Sequence, residues 1–196
     1  MQRKYVWLAV VALVVISLDQ WTKFIVLKNL TTGLDGPSAG VGAFFGGAPE
    51  AGFDGYHYRS KEPVVLSTNF FRLRYAENRG AAFGLFHNLP DDWRGPLFHL
   101  VSLGAVVLIG YYFSKLTGEP KERWAKAGLP LVLGGALGNY IDRLARGFVI
   151  DFLEAHWHEQ AYWPAFNVAD SAIVVGVALL VIDSFVRKEK PAPVAA

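Results

Sequence analysis

Two carboxylates in the last quarter of the chain, Asp151 and Asp170, are the side chains best placed for reaction. Asp151 sits in the strand-like run 148–152, and Asp170 sits where the last apolar run begins. Two carboxyl groups in one low-dielectric site do not both ionise easily. One then serves as a base that activates water, and the other as an acid that protonates a carbonyl oxygen or a leaving amine. That is aspartyl-protease chemistry, and it requires neither metal nor nucleophile. Spacing alone leaves open which Asp is acid and which is base, and any two Asp can be paired on paper.

Further polar residues interrupt apolar runs, where ionisable groups are costly and face protein or water. Asp19 and Lys23 are four apart and share a helix face. Asn139, Asp142 and Arg143 fall at i, i+3 and i+4, and Asn167 and Asp170 are three apart. Competing chemistries fit less well. His156 and His158, near Asp151 and Glu154, suggest a metal site, yet His-Trp-His lacks a helical i, i+4 pair, and Trp157 with Trp163 reads as an interfacial aromatic belt. Ser171 beside Asp170, or Ser17 near Lys23, suggests a Ser–Lys hydrolase, but Ser in apolar helices usually serves packing. His99 reads as a satisfied polar contact, and Asp142 as a structural partner.

These residues must be positioned by apolar elements. The chain of 196 residues is 53% hydrophobic and only 18% charged, below the ~25% charged of a soluble globule. A net charge of +2 gives no footprint for nucleic acid, and the absence of Cys excludes disulfides, thiolate metal sites and a Cys nucleophile. The apolar residues cluster in four segments, predicting helices over about 5–28, 96–115, 124–143 and 168–186. Arg3 and Lys4 precede an apolar run with no small-residue cleavage site after it, which predicts an uncleaved first helix rather than a signal peptide. Lys and Arg before the first helix, between the second and third, and after the fourth place both termini in the cytoplasm. Counted from those charges at ~1.5 Å per residue, Asp19, Asn139, Arg143 and Asp170 all lie about 20–25 Å across a core of ~30 Å. One polar layer just beneath the outer surface implies one site. A transporter is the rival from another class, and it is disfavoured because no charged group is read in the cytoplasmic half of any helix.

The outward connections span about 29–95 and 144–167. Residues 31–60 hold eight Gly and two Pro without periodicity, a loosely ordered, Gly-rich insertion. Residues 64–75 read as one strand, 80–86 as a strand or bend, and 147–153 as another strand. Gly95-Pro96 is a turn signal introducing the second helix. Gly134, Gly135 and Gly138 mark close helix packing.

Five motifs in order resemble the lipoprotein signal peptidase (signal peptidase II) family: 19–23 (DQWTK), 77–84 (ENRGAAFG), 134–143 (GGALGNYIDR), 147–152 (GFVIDF) and 166–171 (FNVADS). The resemblance implies a single-domain, mainly α bacterial inner-membrane protein with four transmembrane helices and a small extracytoplasmic β-sheet. It implies an aspartyl endopeptidase that removes the signal peptide of diacylglyceryl-modified prolipoproteins, cutting before the lipidated lipobox Cys, and that globomycin inhibits. The family's catalytic pair falls on Asp151 and Asp170, and its supporting residues on Asp19, Lys23, Asn78, Gly80, Asn139, Arg143 and Asn167. No cofactor, metal or nucleic acid is implied. The expected partners are the prolipoprotein and membrane lipid, the expected state is a monomer, and the site is expected near the periplasmic face.

Overall fold

Apolar sequence without strand alternation forms long helices here. The structure is a computed structural model describing residues 2–36, 40–46, 57–80 and 90–187. It contains α1 (Gln2–Leu30), the short α2 (Val41–Phe45), α3 (Asp91–Ser114), a 3₁₀ turn (Pro120–Glu122), α4 (Arg123–Arg146) and α5 (Val168–Arg187). Between them lie strands β1 (Val64–Ser67), β2 (Phe71–Asn78), β3 (Val149–Trp157) and β4 (Ala161–Tyr162). They form one antiparallel sheet in the order β1-β2-β3-β4.

Among the described residues, three helices have the length and composition to cross a membrane: Arg3–Leu30, Gly95–Ser114 and Val168–Arg187. The expected fourth span, α4, does not reach that apolarity. The physical reason is its position, because α4 packs against α1, α3 and α5 and spends its surface on protein rather than lipid. Its glycines make that fit. A Cβ on Gly134 would lie 2.7 Å from Val15 Cβ, one on Gly138 2.7 Å from Asp19 Oδ2, and one on Gly128 2.7 Å from the carbonyl of Gly176. Backbones approach this closely only where side chains are missing.

Several sequence expectations need correction. Residues 64–75 are not one strand. They form β1 and β2, with a turn at 68–70. The apolar and β-branched residues run through the turn, so composition alone could not find it. Helix α3 starts at Asp91, and Pro96 lies inside it, where its missing N–H costs one hydrogen bond near the helix start. The strand expected at 147–153 extends to Trp157. Of the expected strand or bend at 80–86, all but Gly80 lies outside the described residues. The described parts of 31–60 are packed rather than loose, since Leu34, Phe44 and Tyr58 join a buried cluster with Leu27, Tyr75, Phe148 and Ile150. Asp183 is a charged residue in the last turns of α5, so charge is not confined to one half of the helices. It is buried, accepts the N–H of Ala125 at 3.0 Å and pairs with Arg187 at 2.6 Å. It therefore caps the start of α4, where backbone donors lack helical partners.

Candidate active site

Asp170 is held by its own helix start. Asn167 stands just before α5, and its Oδ1 accepts the N–H of Asp170 at 2.9 Å. In return, Asp170 Oδ2 accepts the N–H of Asn167 at 3.2 Å. This is a reciprocal capping box, which satisfies two orphan donors and fixes the carboxylate at the helix N-terminus. Asp170 Oδ1 accepts from Asn139 Nδ2 at 2.8 Å.

Asp151 comes from near the start of β3, opposite Ala76 of β2. The chain enters β3 through Gly147, whose φ of +80° closes α4 and lets the strand begin two residues later. Asn167 Nδ2 donates to Asp151 Oδ1 at 2.7 Å, and Asn78 Nδ2 donates to Oδ2 at 3.0 Å. A single Asn side chain therefore touches both acidic residues. Burial first, and then the negative charge of Asp170, push the Asp151 carboxyl up to about 7, against the pull of its hydrogen bonds.

Behind the carboxylates lies a buried ionic lattice centred on Lys23. Its ammonium contacts Asp19 at 2.8 Å, Asp142 at 2.9 Å and Asn139 Oδ1 at 3.1 Å. Asp19 accepts the N–H of Ala169 at 3.0 Å, the residue before Asp170. Asp142 accepts the N–H of Ile150 at 3.0 Å, the residue before Asp151. The lattice thus grips the backbone next to each acidic residue, one through α5 and one through β3.

Both Asp side chains, with Asn78, Gly80, Asn139 and Arg143, line an open cavity of about 810 Å³. Its apolar wall comes from Phe166, Ile173 and Val174. Arg143 donates to the Gly80 carbonyl at 3.0 Å and lies over the Phe98 ring.

The family model of signal peptidase (SPase) II matches residues 11–186. The chain belongs to the signal peptidase II family. As a member of that family it is an aspartic peptidase. It is 44% identical to the lipoprotein signal peptidase of Anaeromyxobacter sp. (strain Fw109-5), over 91% of this chain and 84% of that one. It is 33% identical to that of Vibrio vulnificus (strain CMCP6), over 95% of this chain and 91% of that one. A bacterial membrane enzyme solved at 2.3 Å shares the fold with a TM-score of 0.66 at 24% identity, covering 94% of this chain and 93% of that chain.

Within the chain, not every expected residue faces the cavity. Asp19 and Lys23 are fully buried behind it, and Asn167 joins the carboxylates from beneath. Gln20 and Arg146 escaped the sequence reading, although both bond Asp142 and so complete the lattice. The i, i+4 spacing of Asp142 and Arg146 was the available signal. Glu77 was also missed. It accepts from Tyr75 Oη at 2.8 Å and from the main-chain N–H of His57 at 2.6 Å, and it pairs with the His57 ring at 2.7 Å. His156 pairs with Glu159 at 3.3 Å, and His158 takes a φ of +48° in the β3–β4 turn. Among the described residues, His99 is not the satisfied contact expected, because its buried Nδ1 has no hydrogen-bond partner. Residues 81–84 of the second motif lie outside the described residues.

Proposed function

We propose that the chain removes signal peptides from diacylglyceryl-modified prolipoproteins, cutting before the lipidated Cys, with Asp151 and Asp170 as its catalytic pair. What carries this reading is Asn167, whose side chain bonds Asp151 at 2.7 Å and caps Asp170 at 2.9 Å beside one open cavity. The relatives are lipoprotein signal peptidases, and their substrate class fits a cavity with a polar end and an apolar wall.

With its carboxyl pushed up to about 7, Asp151 holds the shared proton. Asp170 takes a proton from water as the oxygen attacks the scissile carbonyl carbon. Asp151 gives its proton to the carbonyl oxygen, forming a gem-diol. Asp170 then hands its proton to the leaving amine as the C–N bond breaks, and one gem-diol hydroxyl returns a proton to Asp151. Arg143 fixes the Gly80 backbone at the rim, and the Lys23 lattice holds both acids in register. Neither metal nor cofactor enters the scheme.

In this reading α4 is a fourth span, shielded from lipid by its neighbours and ~36 Å long at 1.5 Å per residue. Both termini are cytoplasmic, the sheet and cavity lie at the outer face of the bacterial inner membrane, and the protein works as a single-domain monomer. The test is cleavage of a diacylglyceryl-modified precursor in detergent. Asp151→Asn and Asp170→Asn each lower the rate by about 10²–10⁴-fold while the protein still inserts and purifies. Processing that survived either change would remove that residue from the mechanism.

A further inference from the structure

Glu77 stands one residue before Asn78 at the end of β2, and its side chain is only 1% exposed. Its Oε1 accepts the main-chain N–H of His57 at 2.6 Å, that of Tyr58 at 3.3 Å and the Tyr75 hydroxyl at 2.8 Å. Its Oε2 pairs with the His57 ring at 2.7 Å and lies 3.6 Å from the Arg79 guanidinium. One buried carboxylate therefore receives the end of the Gly-rich stretch. That end is firmly seated. The N–H of Lys61 donates to the Leu30 carbonyl at 2.8 Å, and the His57 ring stacks on Phe148 with centroids 4.7 Å apart. Tyr58 belongs to the buried cluster with Tyr75 and Phe148.

The neighbouring residue of the strand serves the acidic pair. Successive side chains of a strand point to opposite faces. Tyr75 and Glu77 reach toward the buried cluster, so Asn78 is turned to the other face, where its amide donates to Asp151 Oδ2 at 3.0 Å. Asn78 pairs with Val149, the first residue of β3, and so occupies the end of the β2–β3 ladder. Chain ends and ladder ends open most readily. Glu77 supplies an anchor there from the opposite face. What it holds extends past Asn78, because Asn78 Oδ1 accepts the N–H of Gly80 at 3.0 Å and the Gly80 carbonyl accepts from Arg143 at 3.0 Å.

We infer that Glu77 is a positioning residue for cleavage: by tying the 57–58 main chain to β2, it holds Asn78 against the Asp151 carboxyl. The inference rests on the reading of Asp151 as catalytic. Glu77 touches no reacting atom and acts through Asn78, so its loss resembles a partial loss of Asn78. Burial and then the charge of Asp170 raise the Asp151 carboxyl, while the Asn78 amide, Lys23 and the Asn167 amide pull it down. Releasing Asn78 therefore moves Asp151 further up, and the descending limb of the pH–rate profile moves with it.

Glu77→Met fills the same space without an acceptor. Cleavage of a diacylglyceryl-modified precursor in detergent is measured across pH for the parent, Glu77→Met, Asn78→Ala, the double variant and Asp151→Asn. In Glu77→Met and in Asn78→Ala, kcat is expected to fall by about tenfold or more, and the descending limb moves to higher pH. The double variant is expected to be no slower than Asn78→Ala alone, the signature of two residues acting through one contact. A mere loss of folded protein lowers the rate at every pH alike and leaves the limb in place. An unmoved limb in Glu77→Met, or losses that multiply in the double variant, would overturn the inference. Where Glu77→Met does not purify as folded protein, Tyr75→Phe carries the same test, since it removes one donor to this carboxylate and keeps the ring. A shifted limb then supports the role of Glu77, and a parent-like profile overturns it. Cleavage by Asp151→Asn would instead overturn the underlying reading. An inactive Asp151→Asn beside an unmoved limb in Glu77→Met overturns the role of Glu77 alone.

Discussion

Asp151 is a carboxyl group pushed up to about 7 by its surroundings, burial first and the charge of Asp170 second. Two consequences follow at the level of this residue. Its value lies above the ordinary 3.8, so Asp151 contributes to folded-state stability below that pH, and the contribution is lost as pH rises through about 7. Melting temperatures measured across that window fall with pH in the parent chain, and the slope flattens in Asp151→Ala. Activity follows the same proton. In the proposed mechanism cleavage rates decline as pH rises through about 7, because the carboxyl proposed to protonate the scissile carbonyl is then ionised. The pair titrates as a unit, so a pH–rate profile with no change across this range would count against a shared proton.

The start of α5 serves two purposes, and they can be separated. Asn167→Ser keeps an oxygen to accept the N–H of Asp170 but loses the amide that reaches Asp151. Thermal stability is expected to fall by about 1–3 kcal/mol, because the cap is kept but Asn139 Oδ1 and the Ile150 carbonyl lose a buried donor. The cleavage rate of the folded protein is expected to fall by about 10²-fold or more. A rate near that of the parent would mean that Asn167 acts only as a cap. The α4–α5 contact makes a second test. A Cβ on Gly135 would press on the Ala169 carbonyl and lie 2.7 Å from Ile173 Cγ1. Gly135→Ala therefore costs about 1–3 kcal/mol by overpacking. On α3, Gly104→Ala meets nothing within 4 Å, and its melting temperature stays level or rises.

For the whole molecule, orientation in the membrane is open to a clean measurement because the chain contains no Cys. Glu159, in the exposed β3–β4 turn, and Glu119, in the exposed connection after α3, lie on opposite sides in the proposed topology. A membrane-impermeant maleimide is expected to label Glu159→Cys in intact spheroplasts and Glu119→Cys only after lysis. The reverse pattern would invert the topology and put the cavity on the cytoplasmic side. The apolar runs made α1, α3 and α5 legible because lipid-facing helices must be apolar nearly all round. The helix α4 was legible as a shorter, Gly-rich apolar run, but it lacks the hydropathy of the other three, since it faces protein on three sides.

Sequence by itself determined the family, the residue types able to do chemistry, and the apolar elements that carry them. These depend on local composition and on motif order, both of which survive without coordinates. Only the tertiary structure decided that Asn167 links the two acids, that Lys23 grips the backbone beside each of them, and that residues 64–78 fold back as a hairpin. Those facts depend on contacts between residues as far apart as Asp19 and Ala169. The direction of a carboxylate's hydrogen bonds, and the burial that moves its proton, exist only once distant segments share one low-dielectric space.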